Sequence, residues 1–139
     1  MLKDNTPIGQ TLSVHDTAIE LGKLLRDYRG KDVLVMDLRN INGWTDFFVI
    51  ATVTSNIHLQ GLERHIREFS REKGIDILRV SPRPQGGRYA SEDQWLIIDL
   101  GPLVIHLMTP KTRSFYELER LWNAAAVIFQ ESPVAAVQD

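Results

Sequence analysis

Gly101-Pro102 sits between two apolar runs, Trp95-Leu-Ile-Ile-Asp-Leu100 and Leu103-Val-Ile-His-Leu-Met108. A two-residue loop that opens with Gly meets the demand of a type II′ turn for positive φ at its first position. Such a turn fixes the pairing register, because strand side chains alternate faces with a period of two. Leu100 is therefore predicted to face Leu103, Ile98 to face Ile105 and Leu96 to face Leu107, all on one side of a hairpin. The other side places Trp95 opposite Met108, Ile97 opposite His106 and Asp99 opposite Val104. The first side is a core face. The second mixes Trp, Asp and His with apolar residues, the composition of a covered site or of a docking surface.

The flanking chain supplies partners for such a hairpin. Ser13 reads as an N-cap, and Val14, Ala18, Leu21, Leu25 and Tyr28 follow at helical spacing, with Gly30 ending the element. Two near-continuous apolar runs, residues 32–38 and 46–53, predict strands buried on both faces. Ser55 or Asn56 caps a second helix with Leu59, Leu62, Ile66 and Phe69 on its buried stripe and Gly74 past its end. Residues 75–80 read as a further strand. The segment Ser81 to Asp93 holds two prolines and a Gly-Gly pair and reads as a loop. Phe115, Leu118, Trp122, Ala125 and Phe129 predict a last amphipathic helix that begins near Pro110 and stops at Pro133. The order is helix, two strands, helix, three strands, helix. It predicts an α/β fold with a single mixed sheet of about five strands and helices packed on it. The pattern predicts a flexible polar lead-in over residues 1–12, one domain over 13–130 and a frayed tail over 131–139.

Composition excludes several chemistries. The 139 residues contain no cysteine, so disulfides, thiolate metal sites and cysteine nucleophiles are absent. A formal net charge of −2 argues against indiscriminate binding of nucleic acid, and no specific nucleic-acid recognition is expected. No apolar stretch approaches the roughly 18 residues of a membrane span, so a cytoplasmic protein without membrane contact is expected.

The candidates for catalysis are Asp37, Asp46 and Asp99, each in or beside a strand. Metal-dependent nucleotidyl transfer needs paired carboxylates and a phosphate-holding turn. Asp37 has Arg39 two residues on rather than an acid, and neither GxxxxGK[ST] nor GxGxxG occurs. Such aspartates are read as makers of turn and cap hydrogen bonds. His58 and His65 lack the spacing of HExxH and are read as surface residues. His106 lies near Asp99 across the hairpin, which suits either a general-base pair or a structural or interface histidine. Arg113, Tyr116, Glu117 and Arg120 are read as the solvated side of the last helix.

Several of these segments together resemble one family. Asp32-Val-Leu-Val-Met-Asp-Leu38, Thr45-Asp-Phe-Phe-Val-Ile-Ala51, Thr54-Ser55, Trp95-Leu-Ile-Ile-Asp-Leu-Gly101, Val104-Ile-His106 and Arg113-Ser-Phe-Tyr-Glu-Leu-Glu-Arg-Leu-Trp122 resemble the ribosomal silencing factors, also called Iojap-like proteins. The likeness spans about residues 14 to 124, with the motifs in the family's order. It implies a nucleotidyltransferase-like topology without the catalytic carboxylates. It also implies binding to the large ribosomal subunit through its fourteenth protein, which sterically blocks joining of the small subunit and represses translation. No cofactor and no turnover are implied. Carried onto this chain, Trp95 falls at the family's partner-binding surface, with Leu100, His106 and Met108 at nearby hairpin positions. The chain departs from the family's usual pattern in the longer Ser81 to Asp93 segment, in Pro102 and in Ile57. A sticky second face would also support a weak homodimer. The alternatives are a metal-dependent nucleotide enzyme and an interaction module with a non-ribosomal partner.

Overall fold

A computed structural model describes residues 13–41, 45–81, 94–116 and 125–131. Helix α1 spans Val14–Asp27, strand β1 Lys31–Asp37, strand β2 Phe47–Thr52 and helix α2 Asn56–Lys73. Strand β3 spans Arg79–Ser81, β4 Trp95–Asp99, β5 Leu103–Met108, helix α3 Pro110–Tyr116 and strand β6 Ala126–Gln130. The described strands form one sheet in the order β3-β4-β5-β2-β1-β6. Only the central β2–β5 pair is parallel. The α/β class and the mixed sheet expected from the sequence are what the chain adopts.

Both long helices begin where their caps demand. Ser13 Oγ accepts the Asp16 N–H at 3.1 Å and Ser55 Oγ accepts the His58 N–H at 3.0 Å, each satisfying one otherwise orphaned amide. Gly74 closes α2 in the left-handed region at φ 72°. At the end of α1 that conformation falls on Arg29 (φ 74°), not on Gly30. Gly30 is required for a different reason: a Cβ there would lie 2.9 Å from the Leu25 carbonyl oxygen.

The sheet separates two layers of core. On one face Ala18, Leu21 and Leu25 of α1, with Leu59, Leu62, Ile66 and Phe69 of α2, pack on Val33, Val35, Phe47, Val49 and Ile105. On the other face Leu34, Met36, Phe48, Ile50, Val104 and Met108 form a second buried cluster. Strands β2 and β5 are buried along their whole length, as parallel neighbours at the middle of a sheet must be.

Two sequence expectations need correction. The continuous last helix is not what forms: α3 covers Pro110–Tyr116, while residues 126–130 are a sixth strand antiparallel to β1. The helical spacing of Ala125 and Phe129 coincides with an uncharged Ala-Val-Ile-Phe-Gln run, which suits a pleated edge beside β1. The middle of that expected helix, like the lead-in, the Ser81 to Asp93 loop beyond Ser81 and the tail beyond Glu131, lies outside the described residues. The third strand is also shorter than its apolar run. Only Arg79–Ser81 pairs with β4, through Arg79 with Asp99, Val80 with Ile98 and Ser81 with Ile97.

Candidate docking surface

The hairpin has the register its turn dictates. Trp95 pairs with Met108, Leu96 with Leu107, Ile97 with His106, Ile98 with Ile105 and Asp99 with Val104. Gly101 sits at φ 96°, where a side chain would be strained, and the Leu100 N–H donates to the Leu103 carbonyl at 2.9 Å. Asp99 acts as a turn residue: its Oδ1 accepts the Gly101 N–H at 2.8 Å. Leu96, Ile98, Leu100, Leu103, Ile105 and Leu107 all join the helix-side core.

The other side of the hairpin is graded. Over β5 it is closed: Val104 is 3% exposed, His106 4% and Met108 0%. Over β4 it opens, with Trp95, Ile97 and Asp99 partly exposed, and over β3 Arg79 and Ser81 are exposed. The broad apolar patch allowed by the sequence is thus reduced to Trp95 and Ile97. Of the four residues grouped by resemblance, Trp95 is the one with substantial surface. His106 lies beneath it, and Met108 supports it from the buried cluster. Leu100 does not belong with them. It lies on the opposite face in the helix-side core at 4% exposure, because it sits an odd number of residues from Trp95 along a period-two strand.

Trp95 and His106 are held together by chemistry as well as by packing. The indole Nε1–H donates to His106 Nδ1 at 3.0 Å, and the imidazole meets the Phe48 ring edge-on at 4.5 Å. Burial pushes the pKa of His106 down to about 4, so the ring is neutral near pH 7. A neutral imidazole whose Nδ1 accepts must carry its proton on Nε2. That Nε2–H is buried and has no hydrogen-bond partner among the described residues. The general-base pair with Asp99 does not form, since the Asp99 carboxylate is engaged by Gly101 N–H and lies 3.8 Å from Arg79.

A cleft of about 410 Å³ opens beside this pair, lined by Arg79, Ser81, Ile97, Asp99, Val104 and His106. Sequence reasoning missed the contribution of β3, because three residues carry no periodicity and a long segment separates them from β4. A second, more polar cleft of about 400 Å³ lies at the carboxyl ends of β2 and β5, lined by Thr54, Asn56, Gln94, Thr109 and Lys111 among others, with no Asp or Glu. Among the described residues no group of three or more His, Cys, Asp or Glu could hold a metal. Asp37 is held by Arg39 at 2.7 Å, and that side-chain hydrogen bond lowers its pKa.

Other polar side chains prove structural. Arg113 is not part of a solvated face: its Nη1 donates to the Asp32 carbonyl at 2.7 Å and to Thr52 Oγ1 at 2.9 Å, tying α3 to β1 and β2. The contact braces Asp32, a non-glycine at φ 49° inside the irregular start of β1. His58 and His65 are likewise not free surface groups. The first accepts the Thr54 N–H at 3.1 Å, and the second stacks on Tyr28 with ring centroids 3.6 Å apart.

Residues 11–139 match the family described as ribosomal silencing factor during starvation. The chain belongs to that family. A ribosomal silencing factor of Treponema pallidum is 36% identical over 116 residues, covering 84% of this chain and 98% of the relative. The mouse protein named mitochondrial assembly of ribosomal large subunit protein 1 is 35% identical over 117 residues, 84% of this chain and 49% of its own length. A solved structure from Chromobacterium violaceum superposes with a TM-score of 0.70 at 25% identity, covering 81% of this chain and 88% of that one. As a silencing-factor domain, the chain has both core layers and the hairpin described above.

Proposed function

We propose that this chain silences translation by docking on the large ribosomal subunit through the open part of the β4–β5 face, blocking the approach of the small subunit. The observation that carries the reading is the Trp95–His106 pair: a partly exposed indole fixed by a hydrogen bond to a buried neutral histidine. A rigid aromatic side chain that stays at a surface, with its polar atom already satisfied, is a pre-organised anchor for a protein partner. Trp95 with Ile97 makes the contact, while His106 and Met108 hold it in place. The mouse relative's name supports the large subunit as the target, and the fourteenth protein of that subunit is the proposed partner on the family resemblance in the hairpin segments alone. The mechanism is steric occlusion and uses no cofactor. The absence of carboxylates from the polar cleft, with Asp37 committed to Arg39, supports a non-catalytic role.

The test is a titration of purified chain into separated ribosomal subunits, followed by sucrose-gradient sedimentation. The joined-ribosome peak is expected to fall as the chain is added, with the chain migrating with large subunits. Co-migration with an undiminished joined peak would reduce the chain to a passenger of the ribosome.

A further inference from the structure

The cleft beside Trp95 carries a feature that docking by the indole does not use. His106 lines it, and its Nε2–H is a buried donor with no acceptor among the described residues. Buried polar groups are paired in the great majority of cases, and an exception at a surface cleft points to a missing partner. The proton is held on Nε2 by the Trp95 bond to Nδ1, so this nitrogen can donate and cannot accept.

The chemistry of the lining selects the acceptor. Ile97 and Val104 provide an apolar floor, and the charged rim is balanced, with Arg79 Nη2 3.8 Å from Asp99 Oδ2. A neutral donor beside a balanced ion pair offers no net positive charge. A carboxylate or phosphate entering this cleft would face the Asp99 carboxylate while losing its own hydration, a cost far above that of a neutral amide. An amide carbonyl next to an apolar side chain fits instead. We propose that the cleft between β3, β4 and β5 is a socket for an amide carbonyl presented beside an apolar side chain by the docking protein, with His106 Nε2–H as its hydrogen-bond donor. The inference rests on the docking role assigned above and names the group recognised there. Nε2 has almost no exposed surface in the free chain, so the carbonyl reaches it by parting the side chains at the cleft floor.

Two isosteric variants separate the ring nitrogens. His106→Asn keeps an acceptor at the Nδ1 position for Trp95 and removes the Nε2 donor, whereas His106→Gln keeps a donor at the Nε2 position and removes the acceptor. Ser81→Trp, at an exposed position on the rim, fills the cleft without touching the Trp95–His106 bond. Affinity for purified large subunits is measured by sedimentation, and folding by circular dichroism. We expect His106→Asn and Ser81→Trp each to weaken binding by about tenfold or more, the loss expected when an acceptor is left unpaired, with His106→Gln, which keeps the donor but frees the indole from its acceptor, losing less than His106→Asn. Parental affinity in folded His106→Asn or in Ser81→Trp overturns the socket, as does a loss in His106→Gln as large as that in His106→Asn. If the histidine variants do not fold, Ser81→Trp decides against Ser81→Ala. Failure of the parent chain to sediment with large subunits overturns the docking role itself, a result distinct from any of these.

Discussion

His106 is placed where two demands on an imidazole conflict. The sheet needs a residue that fills the space between Phe48 and Trp95, and burial there disfavours charge on the ring. The unfolded histidine titrates near 6.5 and the folded one near 4, so between these values the unfolded chain binds the extra proton. Its contribution is fully present above about pH 6.5, falls as pH drops and levels off near pH 4, a loss on the order of 3 kcal/mol at about 1.36 kcal/mol per unit. Urea midpoints at pH 7, 6 and 5 are expected to decline in the parent and to stay flatter in His106→Asn. Asp37 falls outside this window, because its hydrogen bond to Arg39 keeps it titrating below the usual 3.8. Trp95 and Ile98 separate the hairpin's two faces. Trp95→Ala is expected to remain folded, at less than the 3–5 kcal/mol of a core tryptophan, while losing about 2 kcal/mol or more of subunit binding. Ile98→Asp puts an unpaired charge at a fully buried site and is expected to unfold the domain. Circular dichroism and large-subunit pelleting on both variants check the pair, and an unfolded Trp95→Ala would move Trp95 into the core.

At the scale of elements, α1 is seated on two strands far apart in sequence, β1 and β6. Gly22 faces the sheet so closely that a Cβ there would lie 2.7 Å from Val35 Cγ2 and 3.1 Å from Phe129 Cδ2. Val35 belongs to β1 and Phe129 to β6, so this one position sets how tightly the helix seats on both strands. Ala ordinarily improves a helix interior by about 1 kcal/mol over Gly, yet overpacking typically costs 1–3 kcal/mol. Gly22→Ala is therefore expected to lower stability by about 1 kcal/mol, because buried Val35 has no free space to retreat into; an unchanged or raised melting temperature would mean that β6 moves aside. Arg113 does the equivalent work at the other end of β1, where its guanidinium spans the Asp32 carbonyl and Thr52.

For the whole molecule, the arrangement is a sheet with one face committed to two helices and the other buried at its centre and open toward β3 and β4. Among the described residues that asymmetry leaves Trp95 and Ile97 as the open apolar part of the second hairpin face, and no grouped carboxylates that could bind metal. Mg²⁺ with any nucleoside triphosphate is expected to produce no turnover and no thermal shift. A metal-dependent product abolished by Asp37→Asn would establish an enzyme. No described helix is long and apolar enough to cross a membrane.

What was readable from the chain alone was whatever depends on near neighbours. The register of β4 and β5 follows from Gly101 at the turn, both helix starts from Ser13 and Ser55, and the structural role of Asp99 from its place beside the turn. Tertiary structure decided whatever depends on groups far apart in sequence. Ala126–Gln130 is a strand because β1 offers it an edge across more than eighty residues, and a spacing that also suits a helix cannot express that choice. Arg113 is tied down because Asp32 and Thr52 happen to lie beneath it. His106 became a neutral donor, its Nε2–H unpartnered among the described residues, only when Phe48, Trp95 and Met108 had closed around it, for desolvation is a property of the packed site and not of the residue.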